Sequence, residues 1–190
     1  RAGIIHRLDK QTSGLLIIAR TLKAHNNLTK QIQNKLITKK YITITSGILN
    51  NVTVIDQKIG RHKINRKKMS VTDSGKESTS RLKILRRFDK ASLIEVDLVT
   101  GRTHQIRVHL SFIGHPVVGD KLYGFKKSIF SKNTKLVNFL DSYNGHALHA
   151  MSLEFKHPST KENFFIESPP PDEFLKIQSL IEKHSYADTN

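Results

Sequence analysis

Residues 40 to 46 read Lys-Tyr-Ile-Thr-Ile-Thr-Ser, and this strict alternation narrows the possible folds more than any other feature of the chain. Successive side chains of a strand point to opposite faces, so Ile42 and Ile44 share one face while Tyr41, Thr43 and Thr45 take the other. Tyr41 is therefore expected to face away from the isoleucines. β-Branched and aromatic residues suit such a pleated surface. Further strands are expected at residues 52–58, 78–85, 92–99, 147–155 and 163–167, bounded by Gly, Asn, Asp and Pro turn signals. Strands so close in sequence favour antiparallel pairing. The continuous apolar run Gly14-Leu15-Leu16-Ile17-Ile18-Ala19 reads as a buried strand, with the polar residues 1–13 as a loop at its edge.

Between the strands the period changes. From Thr21 as an N-cap, Leu28, Ile32 and Leu36 recur every four residues and predict a helix of about four turns packed on the sheet. Ile106, Leu110 and Ile113 predict a helix over residues 105–113. After Pro169-Pro170-Pro171, the spacing of Phe174, Ile177, Leu180 and Ile181 predicts one over 173–184 that closes the domain. Residues 124–145 carry the least pattern and are expected to form a long loop. The sum is an α+β fold: a mixed, mainly antiparallel sheet flanked by a few helices, in one domain over residues 1–190. A chain of this length can bury a core without staples.

Charge narrows the partner. Against 16 Asp+Glu stand 32 Lys+Arg, a net +16 with histidine neutral, and a polyanion is the natural complement. The excess concentrates in residues 58–90, where Lys58, Arg61, Lys63, Arg66, Lys67, Lys68, Lys76, Arg81, Lys83, Arg86, Arg87 and Lys90 face only Asp73, Glu77 and Asp89. A merely solvated face would carry such charge as well, but Ile64, Met69, Val71, Leu82 and Ile84 are interleaved with it, which suits ordered strands. No basic amphipathic helix accompanies the patch, so a membrane surface fits less well than nucleic acid. The apolar run at 14–19 stops at Arg20, far short of the ~18 residues of a membrane-spanning helix. The chain has no cysteine, so disulfides and thiolate metal sites are excluded, and a cytoplasmic location is the default expectation. Its beginning, Arg1-Ala2-Gly3, shows neither a signal-peptide pattern nor an initiator Met, and the sequence is expected to be a piece of a longer protein. No heptad or spare apolar stripe appears, which favours a monomer.

Two stretches could carry chemistry. His6-Arg7-Leu8-Asp9-Lys10-Gln11-Thr12-Ser13-Gly14 is a polar loop that delivers one carboxylate between two cations, directly before the apolar run. On spacing alone Asp9 could equally cap a turn. In residues 98–110 a Gly101 turn leads from a strand into a helix, clustering Arg102, His104 and Arg107 near the positive helix end. His104, His109 and His115 invite a zinc reading, yet His104 and His109 are five positions apart on different helix faces, with no carboxylate close by. Ordinary hydrogen-bonded histidines fit better, and no metal is expected. No G-x-x-x-x-G-K-[ST] loop supports a nucleotide site, and Ser13 lacks the G-x-S-x-G elbow of a serine hydrolase.

His6-Arg7-Leu8-Asp9 followed by Thr12-Ser13-Gly14-Leu15-Leu16 closely resembles the signature of the RluA family of pseudouridine synthases. The resemblance continues in order through Lys40-Tyr41 and Gly47, residues 101–110, Gly114-His115-Pro116, Gly119-Asp120, Leu122-Tyr123-Gly124, Leu148-His149-Ala150, Leu153, Phe155, His157-Pro158 and Thr160. Gly60-Arg61-His62, Arg66-Lys67-Lys68-Met69 and Gly75-Lys76-Glu77 look most like the RluD branch, which modifies large-subunit ribosomal RNA. Members of the family have further catalytic-domain sequence before the His-Arg-Leu-Asp motif, and many carry an upstream RNA-binding domain; neither is present in this sequence.

The resemblance implies an isomerase that converts uridine to pseudouridine in RNA without a cofactor. It assigns catalysis to Asp9, with Arg107 as the arginine that orients the carboxylate and Arg102 as the second choice. Tyr41 is implied to stack on the flipped uracil and to assist proton transfer at the ring carbon. Arg7 is implied to fill the space the base vacates, and Arg61, Arg66, Lys67 and Lys68, with Arg102 and His104, to contact a large-subunit ribosomal RNA stem-loop. A non-catalytic RNA-binding or ribosome-assembly factor of the same fold is the alternative. The intact set of Asp9, Tyr41 and Arg107 favours the enzyme, because a retired one would be free to lose it.

Overall fold

The computed structural model describes residues 3–187. In chain order they form β1 (Ser13–Gly14), α1 (Leu22–Gln33), β2 (Thr38–Ser46), β3 (Val54–Asp56), β4 (Ile59–Arg61), β5 (Met69–Val71), β6 (Thr79–Arg87), β7 (Ala91–Leu98), α2 (Gln105–Phe112), α3 (Thr134–Ser142), β8 (Leu148–Lys156), β9 (Asn163–Glu167) and α4 (Asp172–Ala187), with short 3-10 turns at Lys121–Tyr123 and Lys127–Phe130. The architecture is α+β, as the change of period predicts. β2, the strictly alternating strand, lies near the middle of a seven-stranded sheet, antiparallel to β7 on one side and β8 on the other. Beyond β7 follow β6 and β3, both antiparallel. A separate two-stranded hairpin, β4–β5, carries the most basic part of the sequence. Every pairing among these strands is antiparallel except that of β1 with β8.

Both faces of β2 are covered. Ile42 and Ile44 are buried, and so are Tyr41, Thr43 and Thr45. The threonines are tolerated there because their hydroxyls donate to backbone carbonyls, Thr43 to Ala147 at 2.7 Å and Thr45 to Ser92 at 3.4 Å. The largest buried cluster joins these strands to Ile106 and Leu110 of α2, Leu136 and Leu140 of α3, and Phe174, Ile177 and Ile181 of α4. A second cluster packs Leu28 of α1 against Ile17, Ala19, Ile37 and Leu153.

Three expectations are corrected. The run 14–19 is not a buried strand: only Ser13 and Gly14 pair with β8, opposite His149 and Ala150. Beyond Gly14 the chain peels away because β9 already occupies the same edge of β8 from Ser152 onward. Ile17 and Ala19 turn inward and Ile18 is left 59% exposed, held by a lone bridge to Ile4. Secondly, α1 begins at the Thr21 cap, whose hydroxyl accepts from the Ala24 amide, but stops at Gln33. Lys35 adopts φ +56° and the Leu36 amide donates back to the Gln31 carbonyl, which unwinds the chain before the third apolar position of the expected stripe. Leu36 is 62% exposed. The buried Gln31 instead fixes α1, bonding both backbone groups of Lys156 at the end of β8. Thirdly, residues 124–145 are not a loop but contain Lys127–Phe130 and α3, which Asn133 caps through the Leu136 amide while its own amide donates to the Leu180 carbonyl of α4. The expected strand at 52–58 is shorter, with β4 following in the separate hairpin.

Gly14 is where sequence and topology meet most tightly. It has φ +109°, and a Cβ added there would lie 2.3 Å from the Ala150 carbonyl oxygen. Gly14→Ala should therefore lower stability by about 2–3 kcal/mol, read as a drop in the urea midpoint. An unchanged midpoint would show that the loop before β1 moves aside freely.

Candidate active site

The loop of residues 6–14 is held at His6, Asp9, Gln11, Thr12 and Ser13. The Asp9 carbonyl accepts from the Thr12 amide at 3.0 Å, closing a turn. Gln11 donates to the carbonyl and side chain of Asn144, the Thr12 hydroxyl meets Nε2 of His146 at 2.8 Å, and the Ser13 hydroxyl meets Nδ1 of His149 at 2.9 Å. At the other end, Nε2 of His6 accepts from the Ile17 amide at 2.9 Å. A loop tied down this fully has little freedom, and its one carboxylate, Asp9, is presented at a fixed place.

That place faces the start of α2. The helix is preceded by a tight connection in which the Gln105 side chain accepts from the Thr100 hydroxyl and the Arg102 amide and donates to the Thr79 carbonyl. His104, with φ +57°, turns the chain into the helix. Arg107, one turn in, reaches Asp9: its Nη1 donates to Oδ2 at 3.0 Å. The rest of the guanidinium is clamped by Asp120, Nε to Oδ2 at 2.7 Å and Nη2 to Oδ1 at 2.9 Å, a two-pronged bond with a side chain only 1% exposed. Asp120 is itself fixed by accepting from the amides of Leu122 and Tyr123. Burial works to lower the pKa of Arg107, but the bonds and charge of Asp120, then those of Asp9, outweigh it and raise the net value. The Tyr123 ring lies under the guanidinium at 4.8 Å.

Tyr123 also organises the histidine. Its hydroxyl accepts from the Met69 amide at 2.8 Å and lies 2.6 Å from Nδ1 of His104. Proton bookkeeping then sends the phenolic proton to Nδ1 and leaves the ring proton on Nε2, which faces Oδ1 of Asp9 at 3.9 Å. Burial lowers the pKa of His104 although the charge of Asp9 opposes it, so the ring meets Asp9 as a neutral dipole rather than as an ion.

Asp9, Tyr41, Arg107, Arg7, Arg102 and His104 line one cleft of about 390 Å³. Tyr41 enters from β2 and is 7% exposed; burial first, then the charge of Asp9, pushes its phenol up to about 12, so it stays protonated. Arg7 is exposed beside Asp9. Arg102 lies at the rim with its Nε on the Glu77 carbonyl at 3.2 Å, and Arg107, not Arg102, is the arginine bonded to Asp9. Arg61, Arg66, Lys67 and Lys68 do not line the cleft; they ride on the β4–β5 hairpin, which docks beside it through Met69 and Tyr123. His109 has its own partners, Ser80 and the Gln57 carbonyl, and His115 bonds the Ser46 carbonyl.

Asp120, Tyr123 and the Thr12–His146 pair are the parts of this arrangement to which the sequence gives no role. Asp120 caps the 3-10 turn that follows it; that it also clamps an arginine 13 positions earlier depends on how that turn lies against α2.

The model of the RNA pseudouridylate synthase family matches residues 1–112. The chain is 45% identical over 183 residues to the ribosomal large subunit pseudouridine synthase D of Pseudomonas aeruginosa, covering 95% of this chain and 57% of that protein. It is 41% identical over 185 residues to the uncharacterized RNA pseudouridine synthase YlyB of Bacillus subtilis, again spanning 57% of the relative's length. Among solved structures, human RNA pseudouridylate synthase domain containing 1 superimposes with a TM-score of 0.76 at 28% identity, over 94% of this chain and 73% of that one.

The histidines that flank the loop set a pH dependence. Burial, then the charge of Lys39, lowers His6 from 6.5 to about 4, and burial, then Arg107, does the same to His146. Both are neutral when folded, whereas the unfolded chain protonates them below about 6.5. The unfolded state therefore binds more protons, and stability present above pH 6.5 is lost as the pH falls toward 4. The urea midpoint should decline across that window, and His6→Gln or His146→Gln should flatten the decline. A slope that neither substitution alters would contradict this assignment.

Proposed function

Because the chain belongs to the RNA pseudouridylate synthase family and is similar to its RluA-family members of the RluD kind, we propose that residues 1–190 act as a catalytic domain that isomerises uridines to pseudouridine in large-subunit ribosomal RNA. The observation that carries the reading is the carboxylate of Asp9, bonded by Arg107 and lining the same cleft as Tyr41. The ribosomal substrate rests on the name of the Pseudomonas relative and on the basic hairpin beside the cleft.

The reaction breaks the bond between the ribose carbon and the uracil nitrogen, turns the base, and rejoins the same sugar carbon to a ring carbon. A proton leaves that ring carbon and one is gained by the freed nitrogen, so atoms balance and no oxidant or energy source is consumed. Asp9 suits either of two tasks: attack as a nucleophile on the sugar or base, or removal of a sugar proton. In both, the guanidinium of Arg107 fixes the direction of the carboxylate and balances its charge, and the clamp of Asp120 keeps Arg107 from following Asp9 or the RNA. The protonated phenol of Tyr41 offers a flat face for the uracil and a hydroxyl that can exchange protons at the ring carbon. The target nucleotide must leave its stack to enter, at a cost of roughly a few kcal/mol. In this reading the exposed Arg7, which lines the cleft with Asp9, would occupy the gap it leaves, and the hairpin cations with Arg102 would meet its phosphates.

The pairing of Asp9 with Arg107 would be unnecessary for a protein that only binds RNA, whereas the basic hairpin would serve either purpose. Incubating the full chain with unmodified ribosomal RNA and mapping pseudouridine decides between them. Wild type should modify discrete sites, Asp9→Asn should lose product while still binding, and Tyr41→Phe should impair turnover more than affinity. Equal product from wild type and Asp9→Asn would remove Asp9 from the chemistry; binding without product from either would favour the assembly factor.

A further inference from the structure

Besides Asp9 and Arg107 the cleft holds a third charged side chain that is almost wholly buried, Lys39 of β2, 9% exposed and two residues before Tyr41. Unlike Arg107, it has no hydrogen bond or ion pair to any described residue. Its neighbours explain why. Asp97 acts on it through space but is bridged to Arg81 at 3.7 Å, and His6 has its acceptor nitrogen on the Ile17 amide. Its ammonium lies under the turn into α2, where a Cβ on Gly101 would stand 3.3 Å from Nζ. It opens to the cleft: the only sealed, unpartnered side-chain polar atom among the described residues is Nδ1 of His146.

An ammonium withdrawn from water without a counter-charge is unfavourable, and burial accordingly lowers the pKa of Lys39, with Asp97 only partly opposing. Such a group is stabilised when a ligand supplies the missing anion. A uracil carbonyl offers only a partial charge; a phosphodiester offers a full one, and each nucleotide drawn into the cleft carries its own.

We propose that Lys39 and the Gly101 turn form a phosphate pocket in the cleft, which takes a backbone phosphodiester flanking the nucleotide presented to Asp9. The pocket rests on the reading of RNA as substrate. It makes Lys39 a binding residue that sets how far the strand is drawn in, distinct from the exposed cations of the hairpin, which meet phosphates outside the cleft.

Binding of the full chain to a ribosomal RNA fragment, measured against salt, tests it. Lys39→Met should make the log–log slope shallower by about 0.7, so that between 50 and 200 mM salt wild type loses roughly 2.5-fold more affinity than the variant. Lys39→Arg should restore the slope. Replacing the phosphodiesters around the target one at a time by neutral methylphosphonates should reveal one position that weakens wild type and leaves Lys39→Met unaffected. The pocket is overturned if the slope is unchanged and every neutral linkage costs both proteins equally. It is overturned too if Lys39→Met loses turnover on saturating RNA with its slope intact, which would place the ammonium on base or sugar. Lys39→Gln provides the same comparison should the methionine variant not fold. Failure of the wild type to form pseudouridine would sink the enzymatic reading, while the slopes would still decide the pocket.

Discussion

The guanidinium of Arg107 is shared between two carboxylates that do different things. Asp120 takes Nε and Nη2 in a fork and is sealed from solvent, while Asp9 takes the remaining Nη1 and borders the cleft. A buried charge left with one partner removed is expensive, roughly 3–5 kcal/mol, so the three side chains form a unit that the fold must complete or lose. They come from three separate parts of the chain: the loop before β1, the first turn of α2, and the turn at Lys121–Tyr123. The stability of that unit is thereby linked to the geometry of the site.

The sheet supplies the framework. β1 pairs with β8 for only two residues, yet that contact and the His146 and His149 bonds fix the loop of Asp9 over the strand that lies next to β2 and Tyr41. α2 is buried along its whole first two turns, from Gln105 to Leu110, so Arg107 has no room to swing. The basic hairpin is attached to the same machinery through Tyr123, whose hydroxyl holds Met69 on one side and His104 on the other. The position of the hairpin is therefore connected to the ring that faces Asp9.

Much of this was legible from residue order alone. The alternation of residues 40–46 located the central strand, and the apolar spacing in 105–113 and 173–184 located α2 and α4, because in each case local period and tertiary burial agree. The motif around Asp9 and the arginines around the start of α2 were visible as unusual polar clusters, and the resemblance paired Asp9 with Arg107. What the order of residues could not convey was competition between distant segments. β9 takes the edge of β8 beyond the two residues that pair as β1, so the apolar run 14–19 does not continue as the expected buried strand, and the left-handed turn at Lys35 ends α1 before Leu36. α3 escaped notice because its apolar face is short, Leu136 and Leu140 with Val137, and its cap, Asn133, is fixed partly from α4. The clamp by Asp120 and the isolation of Lys39 depend on packing, and neither leaves a mark in spacing.

The central claim is that the direction of the Asp9 carboxylate, set by the forked guanidinium, limits the chemical step. Arg107→Lys keeps the positive charge but cannot bond Asp120 in two places and Asp9 in a third. Single-turnover pseudouridine formation, measured beside RNA affinity on the same preparation, separates geometry from charge. The account predicts a rate reduced about 100-fold or more with affinity within about threefold of wild type. A rate preserved while affinity collapses would mean that Arg107 serves only to hold RNA, and that Asp9 needs no such partner.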